Sequence, residues 1–352
     1  MNKLLIQKTD KENMFDVLIN FHNQIKNALE VSGKVDLSKF NTSGLENIII
    51  TGLGGSAIGG DLIRSYTNYE IKFPISVNRN YTLPAFANKN TLVIVSSYSG
   101  NTEETISVYK EAIAKKCRII CLTSGGTVEK MANANKNLYI KLPGGLQPRC
   151  ALGYSFFSLI TIFEKLGFIS EGSKDIGNTI KLIEKSSAVY SNLNVEKNPA
   201  IKIATAIKGK LPIIYSSVDT LDIVNLRWRG QFSENAKILA YGNFYPEMNH
   251  NELVGWNLNK DILKKTVVIF LKDKSDNDRV KLRMKITKDI IKNYCNNMLF
   301  LESDAKSRLE RIFDLIYLGD WVSYYLAILN NTDPTPVEAI EKLKVKLISK
   351  NK

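Results

Sequence analysis

Short apolar runs alternate along this chain with longer stretches in which apolar residues recur every three or four positions. Residues 47–51 (Asn-Ile-Ile-Ile-Thr), 91–96 and 118–122 are apolar runs of strand length. Residues 138–142 form another, ending at Pro143-Gly144-Gly145. Between them, 56–66 and 102–115 carry helical spacing. Strands alternating with helices predict βαβ units and a mostly parallel sheet with right-handed crossovers. The stretch 10–31 reads as one helix, with Phe15, Leu18, Ile19, His22 and Ile25 near a single stripe.

The same plan returns further on. Apolar helices are predicted over 155–166 and 176–190, and 194–199 is polar and unpatterned. Strands at 211–217, 265–271 and 298–302 then alternate with helices at 221–236 and 279–294. A long helix over 308–329 precedes a last one starting near Thr335-Pro336, where proline suits the first turn. The expected fold class is α/β. Two halves are expected, 1–190 and 191–352, each a mostly parallel sheet flanked by helices.

Composition narrows the chemistry. The chain has 352 residues with 44% hydrophobic and 24% charged, ordinary for a globular protein of about two domains. No run approaches the roughly 18 apolar residues of a membrane helix, and the first apolar run is too short for a signal peptide. A cytoplasmic protein without membrane contact is expected. The net charge of +13 could suit an anionic ligand or nucleic acid, but scattered lysines supply most of it, as on a solvated surface. Cys117, Cys121, Cys150 and Cys295 make no Cys-x-x-Cys pair, and only His22 and His250 add imidazole. Reduced structural thiols and no metal site are expected.

Two loops carry candidate chemistry. Gly52-Leu53-Gly54-Gly55-Ser56-Ala57 follows a strand and opens a helix, where bare backbone N–H groups favour an anion. Gly52, Gly54 and Ala57, with Glu70 further on, also fit a loose dinucleotide fingerprint. A tight turn without ligand is the third reading. Ser97-Tyr98-Ser99-Gly100-Asn101-Thr102 repeats the arrangement, with Asn101 and Glu104 spaced as a capping box. Capping needs one polar side chain, whereas Ser97, Ser99 and Thr102 supply three hydroxyls, enough for a phosphate cradle. The lysine-bearing loop of nucleoside triphosphatases is missing.

The segment Ser-Tyr-Ser-Gly-Asn-Thr-Glu-Glu-Thr resembles the phosphosugar-binding loop of sugar isomerase (SIS) domains, and Gly-Leu-Gly-Gly-Ser their first glycine-rich turn. Gln147-Pro148-Arg149, Ser233-Glu234-Asn235-Ala236-Lys237, Pro246-Glu247-Met248-Asn249-His250-Asn251-Glu252 and Leu343-Lys344 resemble the bifunctional phosphoglucose/phosphomannose isomerase family, in order along nearly the whole chain. The resemblance implies two SIS subdomains and a metal-independent isomerase without a cofactor. It would interconvert fructose 6-phosphate with glucose and mannose 6-phosphates through an enediolate.

The resemblance implies Glu234 as the base, His250 in ring opening, Arg149 beside the enediolate charge and Lys344 at the sugar. It implies phosphate held by Gly55, Ser56, Ser97, Ser99 and Thr102. It further implies a homodimer in which His250 reaches the neighbouring subunit's site. Where some relatives carry a threonine near the last helix, this chain has Val337, with Thr335 nearby. Two other classes fit less of the chain. A phosphosugar-sensing regulator usually adds a helix-turn-helix, which is not evident, and a nicotinamide-dependent dehydrogenase would use only the first glycine loop.

Overall fold

Strands form where the apolar runs leave no polar face to expose. In the computed structural model, which describes residues 1–350, β1 (Asn47–Thr51), β2 (Ile75–Asn78), β3 (Thr91–Ser96), β4 (Arg118–Thr123) and β5 (Leu138–Lys141) build one sheet. Its order is β2-β1-β3-β4-β5 and every pairing is parallel. β6 (Leu211–Ser217), β7 (Tyr241–Tyr245), β8 (Thr266–Lys272) and β9 (Met298–Glu302) build a second, also wholly parallel, in the order β7-β6-β8-β9. The expected α/β class with two parallel sheets is therefore present. In both sheets the first strand is central, the second lies outside it, and the third and fourth follow on the other side.

Two strands have no counterpart in the sequence pattern, β2 and β7. Both missed strands, β2 and β7, are edge strands beside the first strand of their sheet, and neither carries a continuous apolar run. The stretch 10–31 is not one helix but two, Met14–Ile19 and Phe21–Gly33, interrupted at Asn20 and preceded by Lys3–Thr9. Asp10 separates the first two of these helices: its carboxylate accepts the backbone N–H groups of Met14 at 2.8 Å and Phe15 at 2.9 Å, capping the second. The polar stretch before Pro199 ends in another cap, Asn198, which accepts from Ala200 and Ile201 and opens the helix Pro199–Ile207. The last helix begins at Glu338, after the expected Thr335-Pro336 start.

Packing divides the chain into two units. One holds residues 20–185 and 304–313, with the five-stranded sheet; the other holds 1–19, 186–303 and 314 onward, with the four-stranded sheet. The units interleave along the chain, and the expected border at 190/191 lies a few residues past the crossing at 185/186.

In the first unit one face of the sheet packs Val93, Val95, Ile119 and Cys121 against Val108, Tyr109, Val128 and Ala132. The helix Leu152–Lys165 is buried continuously from Leu152 through Phe163, as expected for a helix of the core. In the second unit Trp228, Phe232, Trp321, Tyr324 and Tyr325 fill the core. The helix Arg308–Leu329 has 22 residues and the length and hydropathy of a membrane span, but 83% of that window is buried in the protein.

A buried ion pair crosses the second unit's core. Arg227 donates from Nε to Asp320 at 3.0 Å and from Nη2 at 2.7 Å, and Gln231 donates to the same carboxylate at 2.9 Å. Both charged side chains are 3% exposed. Removing one partner strands the other charge in the core, which costs about 3–5 kcal/mol. Asp320→Ala is expected to lower unfolding stability by that amount in urea titration. An unchanged midpoint would contradict this account of the core.

Candidate active site

In a parallel sheet the carboxyl ends of all strands share one edge, and the helices that follow start there. In the five-stranded unit this edge gathers most of the predicted residues. Gly55 and Ser56 lie in the first turn of the helix Gly54–Thr67, directly after β1. Ser97, Ser99 and Thr102 lie in the loop after β3, and Thr102 is the N-cap of the helix Glu103–Ala114. The two loops are hydrogen-bonded: the Tyr98 N–H donates to Ser56 Oγ at 3.2 Å.

The cradle is shaped by hydroxyls rather than by cations. Ser97 Oγ donates to Thr102 Oγ1 at 3.1 Å and accepts the Gly100 N–H at 3.1 Å. Ser99 Oγ accepts the Asn101 N–H at 3.3 Å, and Ser99 is exposed. The expected capping box at Asn101 does not form. Instead Asn101 Oδ1 accepts from the Thr127 N–H and hydroxyl, both at 3.0 Å. Neither Thr102 nor Leu53, the N-caps of the two helices, makes a side-chain capping bond. Two helix N-termini thus present backbone N–H groups without a side-chain cap, the electrostatics that favour an anion.

Gly100 has φ +68, and a Cβ there would lie 1.7 Å from the Gly125 carbonyl oxygen, so this turn admits only glycine. Arg149 sits beside the cradle, on the turn Pro148–Cys150, and is 3% exposed. A Cβ on Gly55 would stand 2.4 Å from the Pro148 carbonyl oxygen and 3.2 Å from the Arg149 Cα. The missing side chain therefore lets the two backbones touch.

The remaining predicted residues belong to the four-stranded unit. Glu234 ends the helix Asp222–Glu234 and is half-buried. The next turn is fixed: Asn235 donates to Ser323 Oγ at 3.0 Å, and the Lys237 ammonium donates to the Glu234 and Pro334 carbonyl oxygens. His250 is exposed at the end of the short 3-10 helix Glu247–His250, after β7. Lys344 is exposed on the helix Glu338–Lys350.

The connectivity separates two of these groups. The helix Asp222–Glu234 runs back from β6, so Glu234 lies toward the amino edge of the sheet, before β7 begins. His250 comes after β7 has crossed to the carboxyl edge. Five residues of strand span on the order of 16 Å.

His250 is mounted on anchored neighbours. Asn249 donates to Thr287 Oγ1 at 2.9 Å. Glu252 accepts from Asn243 at 2.7 Å, from the Tyr241 hydroxyl at 2.9 Å and from the Tyr215 hydroxyl. Burial, and then the Glu252 carboxylate, push the Tyr215 phenol above its usual range, so it remains a donor. Sequence reading quoted Glu252 and Tyr98 within motifs but gave neither a role. Nothing in their spacing signals these long-range bonds.

The edge of the second sheet equivalent to the cradle carries acids. The loop after β8 holds Asp273 and Asp276, both buried, and Ser217 at the end of β6 donates to Asp276. The Asp273 N–H donates to the other Asp276 oxygen at 3.0 Å. Burial raises the Asp276 pKa against these two donors.

The dinucleotide reading fares poorly at Glu70. This residue follows the far end of the glycine-loop helix, away from the strand ends, and its carboxylate accepts the Ser170 N–H and hydroxyl, each at 2.5 Å. Among the described residues no group of three or more His, Cys, Asp or Glu is arranged to hold a metal ion.

The contact at Gly55 yields a direct test. Gly55→Ala must push back the turn bearing Arg149, at a cost of about 1–3 kcal/mol for an overpacked site. Chemical denaturation is expected to show that loss. An unchanged midpoint would mean that the backbones are not held together.

Known proteins resemble this chain in sequence and in fold. The sequence profile of the bacterial phospho-glucose isomerase C-terminal SIS domain matches residues 196–347. A Caldicellulosiruptor bescii protein named bifunctional phosphoglucose/phosphomannose isomerase is 44% identical, covering 95% of this chain and 98% of its own. An Aquifex aeolicus protein of the same name is 35% identical over 96% of this chain and 98% of its own. In fold, the C-terminal domain of glucosamine-fructose-6-phosphate aminotransferase from Francisella tularensis superposes with a TM-score of 0.68 at 14% identity, covering 92% of this chain and 97% of that one. With the motifs in order and relatives this similar over nearly full length, the chain belongs to the bifunctional phosphoglucose/phosphomannose isomerase family.

Proposed function

We propose that this protein is a cytoplasmic, metal-independent aldose–ketose isomerase that interconverts fructose 6-phosphate with glucose 6-phosphate and mannose 6-phosphate. The observation that carries the reading is the cradle: hydroxyls and two helix N-termini without side-chain caps, with buried Arg149 alongside. Such a site takes a phosphate monoester without needing a lysine. The names of the two full-length relatives supply the sugar.

The chemistry follows from the residues. Ser56, Ser97, Ser99, Thr102 and the backbone at Gly55 hold the phosphate. His250 moves a proton in ring opening, a task suited to imidazole near neutral pH, and Lys344 contacts the sugar. Glu234 removes the proton from C1 of the open ketose. The C–H electrons form the C1–C2 double bond, and the carbonyl electrons move to O2, giving the enediolate. The fixed charge of Arg149 stabilises that anion. The O1–H proton passes to O2, Glu234 returns to C2 the proton it took from C1, and O1, a hydroxyl in the ketose, becomes the aldehyde oxygen. Reprotonation on either face of C2 gives glucose or mannose 6-phosphate.

Within one copy, Glu234 and His250 lie toward opposite edges of the same sheet. A homodimer in which His250 reaches the partner's site resolves this separation. Exposed Val254, Leu258 and Ile262, just beyond His250, give that approach an apolar surface.

Turnover of fructose 6-phosphate in EDTA, following both aldose products, tests the activity. No product sinks the reading, and loss of activity to EDTA sinks its metal independence. Glu234→Gln is expected to lower kcat by at least about 100-fold while phosphosugar binding persists. Wild-type turnover in that variant would remove Glu234 as the base.

Subunit mixing tests the shared site. Glu234→Gln and His250→Ala chains, each inactive alone, should recover about a quarter of wild-type activity after co-refolding, because half the dimers regain one intact site. No recovery would place His250 and Glu234 in the same copy's site.

A further inference from the structure

The Tyr98 side chain leaves the candidate phosphate loop for the segment that follows β5. Its phenol donates to the Pro143 carbonyl oxygen at 2.8 Å and accepts the Leu146 N–H at 3.3 Å. Both partners lie in the segment that ends, three residues later, in Arg149. The Tyr98 backbone is equally committed. Its N–H donates to Ser56 Oγ at 3.2 Å. Its carbonyl oxygen accepts from the Ser124 N–H at 3.0 Å and the Ser124 hydroxyl at 2.6 Å.

Five hydrogen bonds thus converge on one residue from three loops. Each follows a different strand: Ser56 follows β1, Ser124 follows β4, and the 143–146 segment follows β5. The ring is buried, and burial raises the phenol's pKa, which keeps the hydroxyl protonated and donating at neutral pH. The Pro143–Leu146 stretch contains Gly144 and Gly145, the latter at φ +94, so little in its own backbone fixes its course. The phenol ties both ends of this glycine pair.

We propose that Tyr98 is a positioning residue that ties the phosphate cradle to the loop carrying Arg149, so that one side chain sets the guanidinium's place relative to the bound phosphate. This rests on the isomerase reading for its kinetic consequence, but the tether itself is geometric. Misplacement of a charged group by about 1 Å can cost on the order of 100-fold in rate.

Tyr98→Phe keeps the ring and the bonds of the Tyr98 backbone and deletes only the hydroxyl, with its bonds to Pro143 and Leu146. It is expected to lower kcat roughly tenfold or more while KM and competitive inhibition by inorganic phosphate change less than about twofold. In an Arg149→Lys background the same substitution should then cost little, because the residue it positions is already compromised. Unchanged kcat in Tyr98→Phe overturns the proposal. So does a full additive loss on top of Arg149→Lys, or a parallel weakening of phosphate inhibition. A general loss of packing would move the melting temperature but would not produce this non-additivity.

Hydrogen exchange supplies a readout free of turnover. The Leu146 amide, deprived of its acceptor, should exchange at least about tenfold faster in Tyr98→Phe, while amides at Gly55 and Ser56 keep their rates. If the wild-type protein lacks isomerase activity, the functional reading fails and this exchange measurement alone decides the tether; unchanged Leu146 exchange rejects it. Should Tyr98→Phe fail to fold, Ser124→Ala, which removes one donor to the Tyr98 carbonyl, carries the same pair of measurements. Its smaller kcat loss must also vanish in the Arg149→Lys background, or the proposal falls.

Discussion

All strands of each sheet point the same way, and this constraint governs where chemistry can sit. The carboxyl edge of each sheet receives the starts of the following helices, with their unpaired N–H groups. The opposite edge receives the helix ends. An anion therefore belongs at one edge by backbone electrostatics alone. The five-stranded unit follows the rule, with hydroxyl loops after β1 and β3. In the four-stranded unit the same direction of travel carries Glu234 to one edge and His250 to the other. The proposed homodimer answers that separation by letting a second copy supply the imidazole.

The cradle depends on backbones coming very close. At Gly55 one methyl group's worth of space separates a working arrangement from a clash with Pro148. At Gly100 the Gly125 carbonyl occupies the place of a side chain. These contacts position donors without spending cations, and buried Arg149 is brought alongside. Charge in such a site is strengthened by its dry surroundings. The chain's overall excess of lysine plays no part in that arrangement and remains a property of its surface.

Much of the scaffold was legible because buried parallel strands leave a plain mark. Continuous apolar runs such as Ile48-Ile49-Ile50 have few other uses in a chain of this composition. The hydroxyl loop was legible for a similar reason, since Ser97, Ser99 and Thr102 together exceed what capping requires. Edge strands β2 and β7 left no such mark, because half their surface meets solvent or loops. The break at Asp10 was hidden as well: its helical spacing is sound, and only the two bonds to Met14 and Phe15 reveal a cap. Tethers such as Tyr98 to Pro143 join residues far apart in sequence, and no local pattern records them. Roles for Glu234, His250 and Lys344 came from motif resemblance; none of the three has a telling local context.

The acids after β8 mark how far the two sheets have parted in use. Where β3 leads into hydroxyls, the equivalent position leads into Asp273 and Asp276, and the first loop offers Ser217 to an acid instead of to a ligand. At this edge the Ser217 hydroxyl and the Asp273 N–H are both bonded to Asp276, and the two buried acids bring charge of the wrong sign for a phosphate. In the proposed homodimer the same architecture serves once as a receptor and once as a mounting frame: loops tied down by their own acids give the exposed His250 imidazole a firm base from which to reach another molecule.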